Sequence, residues 1–119
     1  MTQKIMSATN VHRPILFQGG MAVDVDSHIA DFKEMSIGSV QAWWMGNDGN
    51  GGMIQVLVSN FPEASTFAPL PDSLASMDTD RKSILWNIGV LGFRYAFVRY
   101  TANGVTEGTL HISALAKKA

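Results

Sequence analysis

The chain is 119 residues long, 46% hydrophobic and only 16% charged, with nine basic side chains against ten acidic ones and no cysteine. The length suits one domain with a single core. A net charge of −1 offers no basic face for nucleic acid or an anionic membrane, and without cysteine there is no disulfide, thiolate zinc site or thiol nucleophile.

Residues 1–20 contain no apolar run of the length a signal peptide needs. No stretch elsewhere approaches the ~20 apolar residues that span a bilayer, so the expectation is synthesis in the cytoplasm and no membrane partner. Within this segment Arg13-Pro14 and Gly19-Gly20 break any periodicity around the apolar Ile15, Leu16 and Phe17. It reads as an extended N-terminal arm carrying an apolar plug, or as an extra edge strand. The domain division follows the first reading: an arm over 1–20 and a β-sandwich over 21–119.

From there the chain falls into short apolar runs rich in β-branched and aromatic residues, bounded by Gly, Asn, Pro or Asp. That is strand patterning. Short strands are expected near Met21–Val25 and His28–Phe32. Ser36–Met45 and Met53–Ser59 form a proposed hairpin around the loop Gly46–Gly52. Val40, Ala42 and Trp44 alternate inward on one strand, Ile54, Val56 and Val58 on the other, and Trp43 faces out. Asn60–Asp80, with Pro62, Pro69 and Pro71, reads as a long crossing connection with a brief edge strand at Ser65–Ala68. Ser83–Ile88 is a further strand.

The clearest pair is last. Phe93–Tyr100 directs Ala96, Val98 and Tyr100 inward and Phe97 and Arg99 outward, while Gly108–Ala114 buries Leu110, Ile112 and Ala114. Asn103-Gly104 between them is two-residue turn chemistry, because both residues tolerate positive φ, and an antiparallel hairpin is expected. Seven or eight such strands with long connections imply an all-β, two-sheet antiparallel sandwich of jelly-roll-like topology.

Candidate chemistry is sparse. His12, His28 and His111 are far apart and lack metal-ligand spacing. Asp24 and Asp26 share one face of a strand and suggest calcium, which needs six or more oxygens that the neighbours Val23, Val25 and Ser27 do not supply. Asn47–Gly52 lacks the acidic alternation and closing Glu of a calcium loop, and no helix follows it to hold phosphate. With no nucleophile elbow and no acid–base pair, the expectation is no cofactor, no metal and no enzyme. Trp43, Trp44 and Trp86 could stack on sugars or bases, or fill the core and a subunit contact.

Across residues 36–117 the order of segments resembles a family of small β-sandwich virion proteins of tailed bacteriophages. The matching pieces are Gly38-Ser39-Val40-Gln41-Ala42-Trp43-Trp44-Met45-Gly46, Ile54-Gln55-Val56-Leu57-Val58-Ser59-Asn60, the stretch Phe67–Leu74, Phe93–Thr101 and Gly108–Ala114. Phe67-Ala68-Pro69-Leu70 stands where the family carries a Trp-containing segment. The resemblance implies a non-enzymatic structural role, foremost a capsid cement or decoration protein made in the bacterial host and bound to the capsid exterior. Its partners would be the major capsid protein and itself, as a dimer or trimer; a tail or neck component and a host-surface carbohydrate-binding module are the alternatives. Expected contact residues are Ile15, Leu16, Phe17, Trp43 and Phe97, since buried aromatic anchors dominate interface energy. Arg94 and Arg99 would meet acidic capsid groups, or form cross-strand pairs within the chain.

Overall fold

A computed structural model describes residues 3–8, 13–33, 35–79, 81–90 and 92–118. Among them are eleven strands and one short 3₁₀ turn at Ala64–Thr66. The strands are β1 (Ile5–Ser7), β2 (Ile15–Gly20), β3 (Val25–Asp26), β4 (Ile29–Asp31), β5 (Ile37–Met45), β6 (Met53–Ser59), β7 (Ala68–Pro69), β8 (Ala75–Ser76), β9 (Ser83–Val90), β10 (Tyr95–Thr101) and β11 (Thr109–Lys117). They form two sheets. One runs β1-β4-β10-β6-β7, with β3 also on β10 and β8 also on β6; the other runs β2-β11-β5-β9. The all-β, two-sheet sandwich expected from the patterning is therefore the observed fold.

Inward alternation supplies the core. Val40, Ala42 and Trp44 of β5, Ile54 and Val56 of β6, Ala96, Val98 and Tyr100 of β10, and Leu110, Ile112 and Ala114 of β11 are all buried in one cluster. Burying a large apolar side chain contributes roughly 1.5–3 kcal/mol, so these four strands hold the sheets together. The indole N–H of Trp44 donates to the Asp78 carbonyl at 3.0 Å, and that of Trp86 to the Ser73 carbonyl at 2.9 Å. Both tryptophans thus fasten the crossing segment between β7 and β9 to the core. The buried Tyr100 hydroxyl donates to the Met21 carbonyl at 2.8 Å. Burial, with the charges of Asp24 and Asp48, pushes its pKa up to about 12.

The two expected hairpins do not form. β10 pairs with β6, β4 and β3, whereas β11 pairs with β5 and β2; β5 and β6 likewise lie in opposite sheets. Asn103-Gly104 does make its turn, with φ of 45° and 95° and Val105 N–H donating to the Ala102 carbonyl at 3.1 Å. Yet Ala102 and Val105 are buried. The turn carries the chain over the end of the sandwich instead of back along one sheet. Gly108, at φ 123°, completes this crossing, since a Cβ there would meet Met21 sulfur at 2.7 Å and Asn47 Cα at 3.0 Å.

The first twenty residues are corrected as well. β2 is hydrogen-bonded to β11 from Gly20↔Thr109 to Ile15↔Ser113, and β1 runs parallel to β4. The described part of this segment is built into both sheets and is no arm, because Leu16 fills the core and its strand supplies β11 with an outer partner. Residues 9–12, His12 among them, lie outside the described residues.

Two buried serines complete the larger sheet. Between β3 and β4 the register slips by one residue against β10. There Ser27 N–H donates to the Val98 carbonyl and Ser27 Oγ accepts from Val98 N–H, each at 2.9 Å. Between β7 and β8, Ser73 Oγ accepts from Val56 N–H at 3.1 Å. Val98 and Val56 are themselves paired, so both hydroxyls serve one transverse line of the sheet. Leaving such a buried N–H unsatisfied costs about 1–3 kcal/mol. Ser27→Ala and Ser73→Ala are each expected to lower stability by about that amount, read in urea denaturation as a lower midpoint with unchanged slope. A midpoint within error of the wild type would show that water replaces the hydroxyl.

Candidate functional site

The two sheets present unlike outer faces. On the larger sheet, Ile29, Leu57, Tyr95 and Phe97 form a second apolar cluster, against which the half-buried Phe67 packs. Phe97 is only 4% exposed, with the Phe67 ring edge-on at 5.0 Å between centroids. Its outward direction was legible, but its own chain covers it, so it is not an open contact residue. Arg99 forms a bidentate pair with Asp26 at 2.8 and 3.2 Å, and these two residues are cross-strand partners. Arg94 binds both oxygens of Asp31 at 2.9 and 3.1 Å, with its guanidinium 5.0 Å from the Tyr95 ring centroid. Both arginines thus form pairs within the chain.

The smaller sheet is different. Its outward residues fall into transverse rows set by the register: Thr109 beside Met45; Gln18, His111, Trp43 and Ser83; Ile15, Ser113, Gln41 and Leu85; Leu115, Ser39 and Asn87. No Asp, Glu, Lys or Arg stands in these rows, although His111 does, and Arg13 lines a depression on the same face with Ser39, Gln41, Leu85, Ser113 and Leu115. Lys117 closes one end, opposite Ile37. Ile15, Trp43, Met45 and Leu85 are exposed at 56, 40, 52 and 57%, and a shallow depression of about 200 Å³ lies among Ser39, Leu85, Leu115 and their neighbours. The Trp43 ring stacks on His111 at 3.8 Å and 4°.

Of the expected contact residues, Ile15 and Trp43 lie on this face. Leu16 is 1% exposed and Phe17 packs against the core, because the bulge in the β2–β11 ladder at Ile112/Ser113 leaves two successive β2 side chains inward. Met45, Leu85 and Leu115 were missed. In β9, Ile84, Trp86 and Ile88 alternate with Ser83, Leu85 and Asn87, a period of two that already places Leu85 on the outer side.

The calcium candidates are engaged elsewhere. Asp24 accepts from Ala102 N–H at 2.8 Å, and Asp26 holds Arg99. The loop between β5 and β6 is tied down, not a free tip: Asp48 accepts from the Thr106 hydroxyl and from the N–H of Thr106 and Glu107, and Asn50 from Thr79 N–H. The Thr106 hydroxyl above all holds the Asp48 carboxyl below its ordinary pKa. Among the described residues, no group of three His, Cys, Asp or Glu could hold a metal ion, and no helix is long and apolar enough to cross a membrane.

Together these features define a β-sandwich with one self-covered outer face and one charge-poor, partly apolar outer face. No known family and no curated protein matches the sequence. Among solved structures, the SPBc2 prophage-derived protein YomS aligns over 88% of this chain and 91% of its own, with a TM-score of 0.55 at 6% identity; the likeness is one of fold. PliG, a periplasmic inhibitor of g-type lysozyme from Aeromonas hydrophila, aligns over 97% of this chain and 99% of its own at 7% identity, with a TM-score of 0.46.

Asp31 gives this molecule an acid-sensitive joint. Burial raises its pKa, but the Arg94 hydrogen bond and charge and the Lys33 N–H outweigh that and hold it below the ordinary 3.8. A carboxylate lowered in the folded state stabilises fully above its unfolded pKa and loses that contribution as pH falls through the folded value. Asp31→Asn is therefore expected to reduce stability at neutral pH, with the gap to wild type closing below about pH 3.8. Urea midpoints across pH check this, and a gap independent of pH would show that packing, not charge, is what the substitution removes.

Proposed function

We propose that this protein is a non-enzymatic structural component of a bacteriophage virion, acting as a cement or decoration protein on the capsid exterior. The observation that carries the reading is the outer face of the smaller sheet, poor in charge, with Ile15, Trp43, Met45 and Leu85 exposed. Isolated exposed apolar residues are ordinary, but several on one charge-poor face mark a contact surface. That face is the surface offered to the major capsid protein, with Trp43 as central anchor and few charges to desolvate around it. Self-association is part of the same proposal. The prophage origin of YomS and the sequence resemblance to phage virion proteins support the phage assignment.

Purified particles test it. A cement protein is expected at a copy number comparable to the major capsid protein, and heads lacking it should break at lower temperature. A small multiple of a ring symmetry would instead identify a tail or neck component. Trp43→Ala is expected to weaken binding to empty heads at least tenfold, about 1.4 kcal/mol, while leaving the urea midpoint near wild type because Trp43 is 40% exposed. Equal heat stability of heads with and without the protein rejects the cement role. Glycan binding that Trp43→Ala abolishes would assign the stacked Trp43–His111 pair to sugar recognition.

A further inference from the structure

Sheet edges expose unpaired backbone groups, and proteins guard them with short strands, bulges, prolines or charges. Three of the four edges here are guarded. β1 is three residues long and follows Lys4. β7 and β8 are two residues each, beside Pro69 and Pro71. β2 follows Arg13-Pro14 and carries a bulge at Leu16. β9 is the longest of the four and the least guarded, although Arg81-Lys82 precede it and a bulge falls at Ile88 near its end. It has eight residues, Ser-Ile-Leu-Trp-Asn-Ile-Gly-Val, with neither charge nor proline, and pairs only with β5.

The register shows which groups are open. Trp44 N–H donates to the Lys82 carbonyl at 2.9 Å, so alternate residues Ile84 and Trp86, opposite Ala42 and Val40, face β5. The N–H and C=O of Ser83, Leu85 and Asn87 then point away from the sheet. All three residues are exposed, and the ladder is regular until the irregularity that leaves Ile88 between Asn87 and Gly89.

We propose that β9 is a self-association edge, where a second copy of this chain adds its own β9 antiparallel about a twofold axis at Leu85. This deepens the self-association within the functional reading above and rests on it. Antiparallel pairing is its own mirror under a twofold axis. Leu85 meets its symmetry mate, Ser83 meets Asn87 of the second copy, and each of these three pairs exchanges two backbone hydrogen bonds. No charge lies between Ser83 and Val90 to repel its copy, and the preceding Lys82 falls opposite Ile88. The Leu85 side chain, 57% exposed, loses water against its mate, and two four-stranded sheets become one of eight. The regular edge from Ser83 to Asn87 spans about 17 Å, which places the contact at the low end of stable interfaces.

Sedimentation equilibrium of the full chain, from low to high micromolar concentration, tests this apart from any virion. The expected result is a monomer–dimer equilibrium, with the Leu85 and Asn87 amides slow in hydrogen exchange at high concentration and fast on dilution. Leu85→Lys and Ser83→Pro should each weaken dimerisation at least tenfold, while Gln18→Lys on the opposite edge strand leaves it unchanged. A monomer at every concentration overturns the proposal. So does a dimer that survives Leu85→Lys or leaves the Leu85 amide unprotected. Location and copy number in the particle are read separately, so either proposal can fail while the other stands.

Discussion

None of the five long strands, β5, β6, β9, β10 and β11, is hydrogen-bonded to the next long strand in sequence, and the rest of the structure follows from that constraint. Each must be bridged by chain that crosses from one sheet to the other. Successive strands therefore face each other through the core instead of lying side by side, and Val40, Ala42 and Trp44 reach the same cluster as Ile54 and Val56. Pairings between distant segments incur loop-closure entropy before any contact compensates it. Folding is accordingly expected in the slow range of β-sandwiches, with the core formed as one event.

The outer faces divide the labour. The larger sheet covers itself: Phe67 lies over Phe97, Arg99 and Asp26 close a cross-strand pair, and Arg94, just before β10, binds Asp31 of β4. Its irregular flanks are made good by Ser27 and Ser73, whose hydroxyls stand in for missing backbone acceptors. The smaller sheet, with one irregularity in each of its β2–β11 and β5–β9 ladders, leaves its charge-poor outer face open.

Alternation made the strands and their inward residues readable, since a period of two follows from backbone geometry alone. Leu110, Ile112, Ala96, Val98 and Trp44 were all placed correctly. Pairing was not readable. Asn103-Gly104 specifies a tight change of direction, but whether the chain returns within a sheet or crosses to the other depends on buried flanking residues such as Ala102 and Val105. Outward Phe97 and outward Trp43 look alike in sequence, and only Phe67, supplied from thirty residues away along the chain, distinguishes them. The Arg99–Asp26 pair and the role of Asp48 likewise rest on contacts between distant segments.

The crossings at 46–52 and 102–108 lie at the same end of the sandwich and brace each other. Asp48 takes the N–H of Thr106 and Glu107, and the Asn103 side chain donates to the Gly51 carbonyl at 3.1 Å. A protease cutting near the exposed Asn50 would sever the covalent link between β5 and β6. Both strands would stay in place, each held by its own sheet, and the cut ends would remain fastened to an intact neighbouring crossing. A nicked molecule of this design behaves as a two-piece complex, separable by denaturant but not by the cut itself.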